Sequence, residues 1–426
     1  MTTIPSVLPN DAPVRIVRAP EPLPLYCTRC AADVGASAQA LCSTCLGPLQ
    51  PQYDTARPLP SRRELRSRAR SIWRYSEWLP FRGAPVLAQQ VGFTPLLEAP
   101  QLAHELGVAR VWVKNDAVSF PSLSFKDRVV ATALNAAQAF GLTTVGCAST
   151  GNLANAVAAA AAAAGLPAWI FIPADLEVAK VVGTSVYGPH LVRVRGTYDD
   201  VNRLCAQLAD RFDWGIVNVN LRAYYGEGSK TMGFEIVDQL DWRFPSAVIA
   251  PMAGGSLVTK LHKAFSEFAA AGLAHGSVPR IYGAQASGCA PIVRFVQSNA
   301  RAVTPERPQT IVRSLAIGNP ADAPTARDAI LGTNGWAHAV DDQDVAIGIR
   351  RLAEATGIFT ETAGGVTVAA AYALAQQGRL TPDDEVVLCI TGNGLKTIDA
   401  AAQGISEAPE IPARLSAVEA LVAATV

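Results

Sequence analysis

The sequence predicts an α/β chain with parallel-rich sheets, arranged as two lobes behind a small N-terminal extension, and three observations carry that reading. From about Val86 onward, short apolar runs alternate with segments of helix length, which is the rhythm of βα units around parallel sheets. Between Arg128 and Asp175 there is no Asp, Glu, Lys, Arg or His. A stretch that long without charge has no face for water and must lie between other elements. The first 75 residues stand apart, being rich in Pro and Arg and holding half of the eight cysteines.

In chain order, the extension covers 1–75 and includes the run RPLPSRRELRSRAR from Arg57 to Arg70; a first lobe is expected over 76–240 and a second over 241–426. The strand-like runs are VWV at 111–113, TVGC at 144–147, AWIFI at 168–172, HLVRV at 190–194, AVIA at 247–250, RIYGA at 280–284 and EVVLCI at 385–390. Ala156 to Ala164 reads as a small-residue helix stopped by Gly165 and Pro167. The uncharged span Ala156 to Ala174 contains that glycine and proline, which suits a packed helix running into a buried strand better than a membrane segment. No repeat period is visible.

Composition narrows the function. Lys+Arg and Asp+Glu balance at 36 each, with 50% hydrophobic and 17% charged residues. This excludes a disordered chain and gives no electrostatic reason to expect nucleic acid, so the expected partner is a small molecule. Eight cysteines in 426 residues are too few for a disulfide scaffold, and the N-terminus lacks a charged start followed by an apolar core. The expectation is a cytoplasmic protein with no membrane association, assembled as a homodimer.

The five histidines form no H-E-x-x-H cluster and no G-x-S-x-G is present, so zinc-peptidase and serine-hydrolase readings have no local signature. Thr391-Gly-Asn-Gly-Leu-Lys-Thr397 is not a P-loop, because Leu395 follows Gly394 where a lysine is required. Four segments hold the attention instead: Ser124-Phe-Lys-Asp-Arg128, Ser149-Thr-Gly-Asn-Leu153, Ala253-Gly-Gly-Ser-Leu257 and Thr391-Gly-Asn-Gly-Leu395. The last three follow strand-like runs, the place where α/β folds gather ligand groups. The small residues from Ala253 to Leu257 precede a helix and let backbone N–H groups surround a phosphate.

The order of these segments resembles the pyridoxal-phosphate enzymes of the tryptophan-synthase β family, fold type II, and most closely the threonine synthases. The likeness runs from about Thr94 to Asp399 and includes Gly92-Phe-Thr-Pro-Leu96, Gly226-Glu-Gly-Ser-Lys-Thr231, Gln285-Ala-Ser-Gly288, Ile317-Gly-Asn-Pro320 and Gly357-Ile-Phe-Thr-Glu361. The resemblance implies a two-lobed fold and makes Lys126 the catalytic lysine that carries pyridoxal 5'-phosphate. A desolvated lysine of near-neutral pKa is nucleophilic and can later move protons. Asp127 and Arg128 read as a structural pair at this turn. Asn152 would bind the cofactor 3-hydroxyl, Ala253, Gly254, Gly255, Ser256 and Leu257 its phosphate, and Thr391 its pyridine nitrogen. Ser149, Thr150 and Gly151 would take the substrate α-carboxylate, although a plain N-cap by Ser149 or Thr150 fits the local sequence equally.

The implied reaction converts O-phospho-L-homoserine and water to L-threonine and phosphate by γ-elimination and β-addition. Within the same fold the alternative is a β-replacement enzyme or a serine or threonine dehydratase. Four departures bear on that choice. Asn393 stands where histidine is frequent, Ala253 where glycine is usual, and Phe120-Pro-Ser-Leu-Ser124 where Asn-Pro-Thr-Gly-Ser is usual. Tyr225 stands where many threonine synthases carry an arginine for the substrate phosphate. Arg222 and Lys230 are therefore the expected anchors of that phosphate, with a solvated helix-start pair as the competing reading.

In the extension, Cys27-x2-Cys30-x11-Cys42-x2-Cys45 has the spacing of a four-thiolate zinc ribbon, so a structural Zn is expected there. A ribbon keeping its shape without metal remains open. A zinc-ribbon binding protein with a degenerate scaffold behind it is the reading from another class, and the few basic residues among the cysteines speak against it.

Overall fold

Two open sheets organise the chain in the computed structural model, which describes residues 19–54, 56–402, 405 and 407–425. The first 18 residues of the expected extension lie outside the described residues. The larger sheet has six strands in spatial order Ala337–Val340, Arg280–Ala286, Ala247–Pro251, Glu385–Ile390, Arg110–Asn115 and Leu96–Glu98. Its neighbours are parallel except for the antiparallel edge strand Leu96–Glu98. The smaller sheet is parallel throughout, in the order His190–Val194, Ala168–Pro173, Val145–Ala148, Gly215–Ile216. Each of the seven strand-like runs lies in one of these two sheets.

The larger sheet draws strands from both sides of residue 240. Leu96–Glu98 and Arg110–Asn115 belong by chain position to the first lobe, yet both lie in the larger sheet. Arg110–Asn115 pairs in unbroken register with the buried strand Glu385–Ile390. Such a pairing spans most of the sequence and leaves no local trace.

The uncharged stretch folds as its composition requires. Helix Asn152–Ala164 is buried over most of its length and ends on Gly165, whose φ of 66° is left-handed and suits glycine. It packs against helix Lys126–Ala139, while Ala168–Pro173 is an inner strand of the smaller sheet. No helix among the described residues is long and apolar enough to cross a membrane.

A buried charged joint ties these elements together. Arg128 donates to both carboxylate oxygens of Asp116, at 2.7 and 2.9 Å, and to both of Glu235, at 2.5 and 2.8 Å. The Lys114 ammonium lies 2.6 Å from Glu235. Burial alone would raise the Glu235 carboxyl, but Arg128 and Lys114 outweigh it and hold the group at about 2. The expected pairing of Arg128 with Asp127 is not formed, because Asp127 turns back to accept from the Ser122 hydroxyl at 2.6 Å.

In the N-terminal part, Leu25–Cys27 is the centre of a three-stranded antiparallel sheet between Asp33–Gly35 and Leu49–Pro51. Leu25 and Leu49 join the same apolar cluster as Val145 and Ala168 of the smaller sheet. The module is thus docked on the body of the protein.

Candidate active site

Three turns converge at the C-terminal end of the strand Glu385–Ile390. The Phe125 N–H donates to the Thr391 carbonyl, and Asn393 N–H to that of Leu123. The Glu361 N–H donates to Gly392, while Thr360 and Asn393 form a further bridge. These bonds fix Lys126, Thr391 and Glu361 relative to one another. Leu123 sits in this joint with φ of 59°, at the place where the related motif has glycine. A side chain there costs about 1 kcal/mol.

Lys126 opens helix Lys126–Ala139. Its half-buried side chain makes no ion pair with Asp127; the nearest polar partner is the Tyr225 hydroxyl, at 3.4 Å. Burial pushes its pKa down from 10.5 to about 8, opposed by the Glu361 carboxylate. Glu361 is itself buried, accepting from the Asn152 amide at 2.7 Å and leaving its other oxygen unpartnered.

Two helix starts without side-chain caps are suited to anions. At the first, the Ser149 hydroxyl accepts from Gly151 N–H and Ala154 N–H, at 2.9 and 2.8 Å. Gly151, not Ser149, stands at the N-cap of helix Asn152–Ala164, so the Ser149 hydroxyl is no simple cap and spends its acceptor on the loop and the first helical turn. At the second, Gly255 adopts a φ of 93° before helix Ser256–Ala270, which has no side-chain cap. A helix leaves its first N–H groups without internal partners. An added Cβ at Gly254 would meet nothing closer than 3.9 Å, whereas at Gly255 it would meet Ala326 and the Asp322 carbonyl at 3.0 Å. The loop is open on one side and held tightly on the other.

The two expected phosphate anchors part company. Arg222 is beside this site, paired with Asp322 at 2.7 Å, and the Asp322 N–H donates to the Gly254 carbonyl. Lys230 is not available. Its fully buried ammonium is bound by Glu227 at 2.8 Å and Glu267 at 2.9 Å, beside the Tyr53 hydroxyl. The lysine faces an internal charge cluster, which corrects both its reading as an anchor and its reading as a solvated residue.

Several site residues had no local signal. Glu361 stood only in a landmark, with nothing to show that its carboxylate turns inward. The Lys180 stem lies against Gly151, where an added Cβ would come within 2.1 Å of it. Lys396 donates to Asn155 at 2.7 Å, and burial pushes it down to about 8.

The four N-terminal cysteines converge, with all four sulfur atoms within 4.8 Å of one another. Cys27 and Cys45 are 3.4 Å apart, and Cys30 and Cys42 3.8 Å. A tetrahedron with Zn–S bonds of about 2.3 Å has edges of about 3.8 Å. Cys147, Cys205, Cys289 and Cys389 are buried, as core positions require.

A half-buried lysine without an acidic partner, an open glycine loop before a helix and a strand-end threonine are features that suit a pyridoxal-phosphate site. The family of pyridoxal-phosphate dependent enzymes matches residues 87–392, and the chain belongs to that family. It is 35% identical to a threonine synthase of Methanosarcina acetivorans over 87% of this chain and 92% of that protein. It is 34% identical to a threonine synthase of Methanocaldococcus jannaschii over 83% of this chain and 88% of that one. Within the larger family, the chain is therefore a member of the threonine synthase family. Its fold is similar to that of a fungal L-serine ammonia-lyase from Rhizomucor miehei, with a TM-score of 0.64, 23% identity and coverage of 74% of this chain and 99% of that one.

Proposed function

We propose that the chain converts O-phospho-L-homoserine and water to L-threonine and phosphate, as a carbon-oxygen lyase acting on phosphate. The observation that carries the proposal is Lys126, without a carboxylate partner and bonded through the joint of turns to the strand end at Thr391 and Glu361. Pyridoxal 5'-phosphate fits the residues present: the unpartnered oxygens of Asn152 and Glu361 adjoin the lysine, and the Gly254 side of the loop is open. Once bound, that cofactor supplies a ring that draws electrons from the carbon bearing the substrate amine.

Each residue has a task in this scheme. Lys126 holds the cofactor, then takes the α-proton and moves protons at the neighbouring carbon. Asn152 meets the ring hydroxyl, Thr391 the ring nitrogen, and Ala253 to Leu257 the cofactor phosphate through backbone N–H groups. Ser149, Thr150 and Gly151 receive the substrate carboxylate. Arg222 holds the substrate phosphate, exchanging Asp322 for a dianion with a charge-assisted fork. A cytoplasmic homodimer is part of the same proposal.

Tyr225 in the place of the usual arginine favours a second reading, a β-replacement enzyme or a serine or threonine dehydratase. Phosphate release and amino-acid products, measured over O-phospho-L-homoserine, O-acetylserine, serine and threonine, separate the two. Equal amounts of threonine and phosphate from the first substrate support the proposal. Turnover of serine with none of phosphohomoserine would sink it.

We further propose that Cys27, Cys30, Cys42 and Cys45 hold one structural zinc. The Cys27 sulfur already accepts backbone N–H groups of Cys30 and Arg29, which favour the thiolate and lower it to about 6. One zinc per chain is expected by metal analysis, and chelation should loosen the module. A metal-free sample with an equally ordered module contradicts this site.

A further inference from the structure

Besides its apolar contact, the N-terminal module meets the body of the protein at a buried charge cluster. Tyr53, two residues beyond the strand Leu49–Pro51, donates its hydroxyl to Glu227 at 2.5 Å and accepts from Lys230 at 3.2 Å. The Lys230 and Lys263 ammonium groups lie over its ring, 4.3 and 5.1 Å from the centroid. Lys260 and Lys263 also bind Glu227. Burial and the two carboxylates Glu227 and Glu267 keep the Tyr53 hydroxyl protonated, pushing its pKa well above 10. It is therefore a permanent donor.

Glu227 is the last residue of the short helix Arg222–Glu227. That helix carries two adjacent tyrosines that point to opposite sides. Tyr224 donates to the Leu23 carbonyl of the N-terminal part at 2.9 Å, and Tyr225 lies 3.4 Å from the Lys126 ammonium. Arg222, at the start of the same helix, is paired with Asp322 beside the glycine loop. One turn and a half of helix thus joins the module on one face to the lysine and the loop on the other. A helix this short has little stability of its own. Its position depends on what grips it.

We infer that Tyr53 is a positioning residue for Lys126, acting through the helix Arg222–Glu227; the inference rests on the reading of Lys126 as the reactive lysine. Removing the hydroxyl while keeping the ring isolates this role, because Tyr53→Phe leaves the packing under Lys230 and Lys263 in place. In the cofactor-free full chain, backbone amides 222–228 of Tyr53→Phe should exchange hydrogen about fivefold faster, the loss of one net hydrogen bond. Amides of helix Thr362–Gln376 should not change. Tyr224→Phe, which cuts the second grip, should give the same signature. In the holoenzyme, Tyr53→Phe should lower kcat about fivefold with little change in KM, and that loss should vanish in a Tyr225→Phe background. Unchanged exchange at 222–228 in both single variants overturns the inference, and so does a kcat loss that adds fully to that of Tyr225→Phe. Exchange is read without cofactor or turnover, so a mistaken assignment of Lys126 would leave it intact and show only in the kinetics.

Discussion

Lys126 and Lys230 are both lysines at helix starts, Lys126 half-buried and Lys230 fully buried, and the charges around them differ sharply. Lys230 has Glu227 and Glu267 within 3 Å and a tyrosine ring beneath it. Lys126 has a tyrosine hydroxyl at 3.4 Å and only the field of Glu361. Burial disfavours the charged amine, and a close carboxylate restores it. At pH 7.5 a group of pKa about 8 is about a quarter unprotonated, against about one part in a thousand at 10.5. The difference teaches that close carboxylate pairing marks the structural lysine here and its absence the candidate reactive one.

Substitutions sharpen that contrast in order of size. Lys126→Ala should lower turnover at least about a thousandfold and abolish the absorbance of covalently held cofactor, since the other low-pKa lysine of the site, Lys396, is held by Asn155. Lys230→Met should act on stability instead. Denaturant unfolding should show a loss of about 2 kcal/mol, because Glu267 loses its closest cation, while the KM for a phosphorylated substrate stays within about twofold. A tenfold rise in that KM with stability unchanged would return Lys230 to the substrate site. Arg222→Gln should raise the KM for the phosphorylated substrate by about tenfold, with cofactor affinity unaffected, as initial rates and cofactor titration can show.

A separate effect, on acid stability, lies in the buried joint. Glu235 is held at about 2, below its ordinary 4.5. The carboxylate thus contributes stability that is full above about 4.5 and is lost as the pH falls toward 2. Acid unfolding of Glu235→Gln should lack that part of the slope.

What the sequence disclosed divides along the same line. The strands, the Gly165 stop, the four loop segments and the cysteine spacing were legible because each rests on neighbours a few residues apart. Lys126 was legible through the company of those loops. The partners of Lys230 include Glu267 and Tyr53, 37 and 177 residues away, and no local pattern marks them. Arg128 was read with its neighbour Asp127, yet its partner Glu235 lies 107 residues on. Glu361 was hidden for the same reason, since its inward turn depends on Asn152, 209 residues earlier. The sheet pairing between Arg110–Asn115 and Glu385–Ile390 was equally hidden, its partners lying far apart in the chain.

The contrast between the two lysines is open to one direct measurement. The cofactor-free full chain is labelled with an amine-acylating reagent over a range of pH, and each lysine is read by peptide mass spectrometry. Lys126 should reach half its maximal labelling rate near pH 8, with Lys230 unlabelled throughout while the chain stays folded. Labelling of Lys126 that rises only near pH 10.5, or of Lys230 alongside it, would contradict the assignment of reactivity to the unpaired amine.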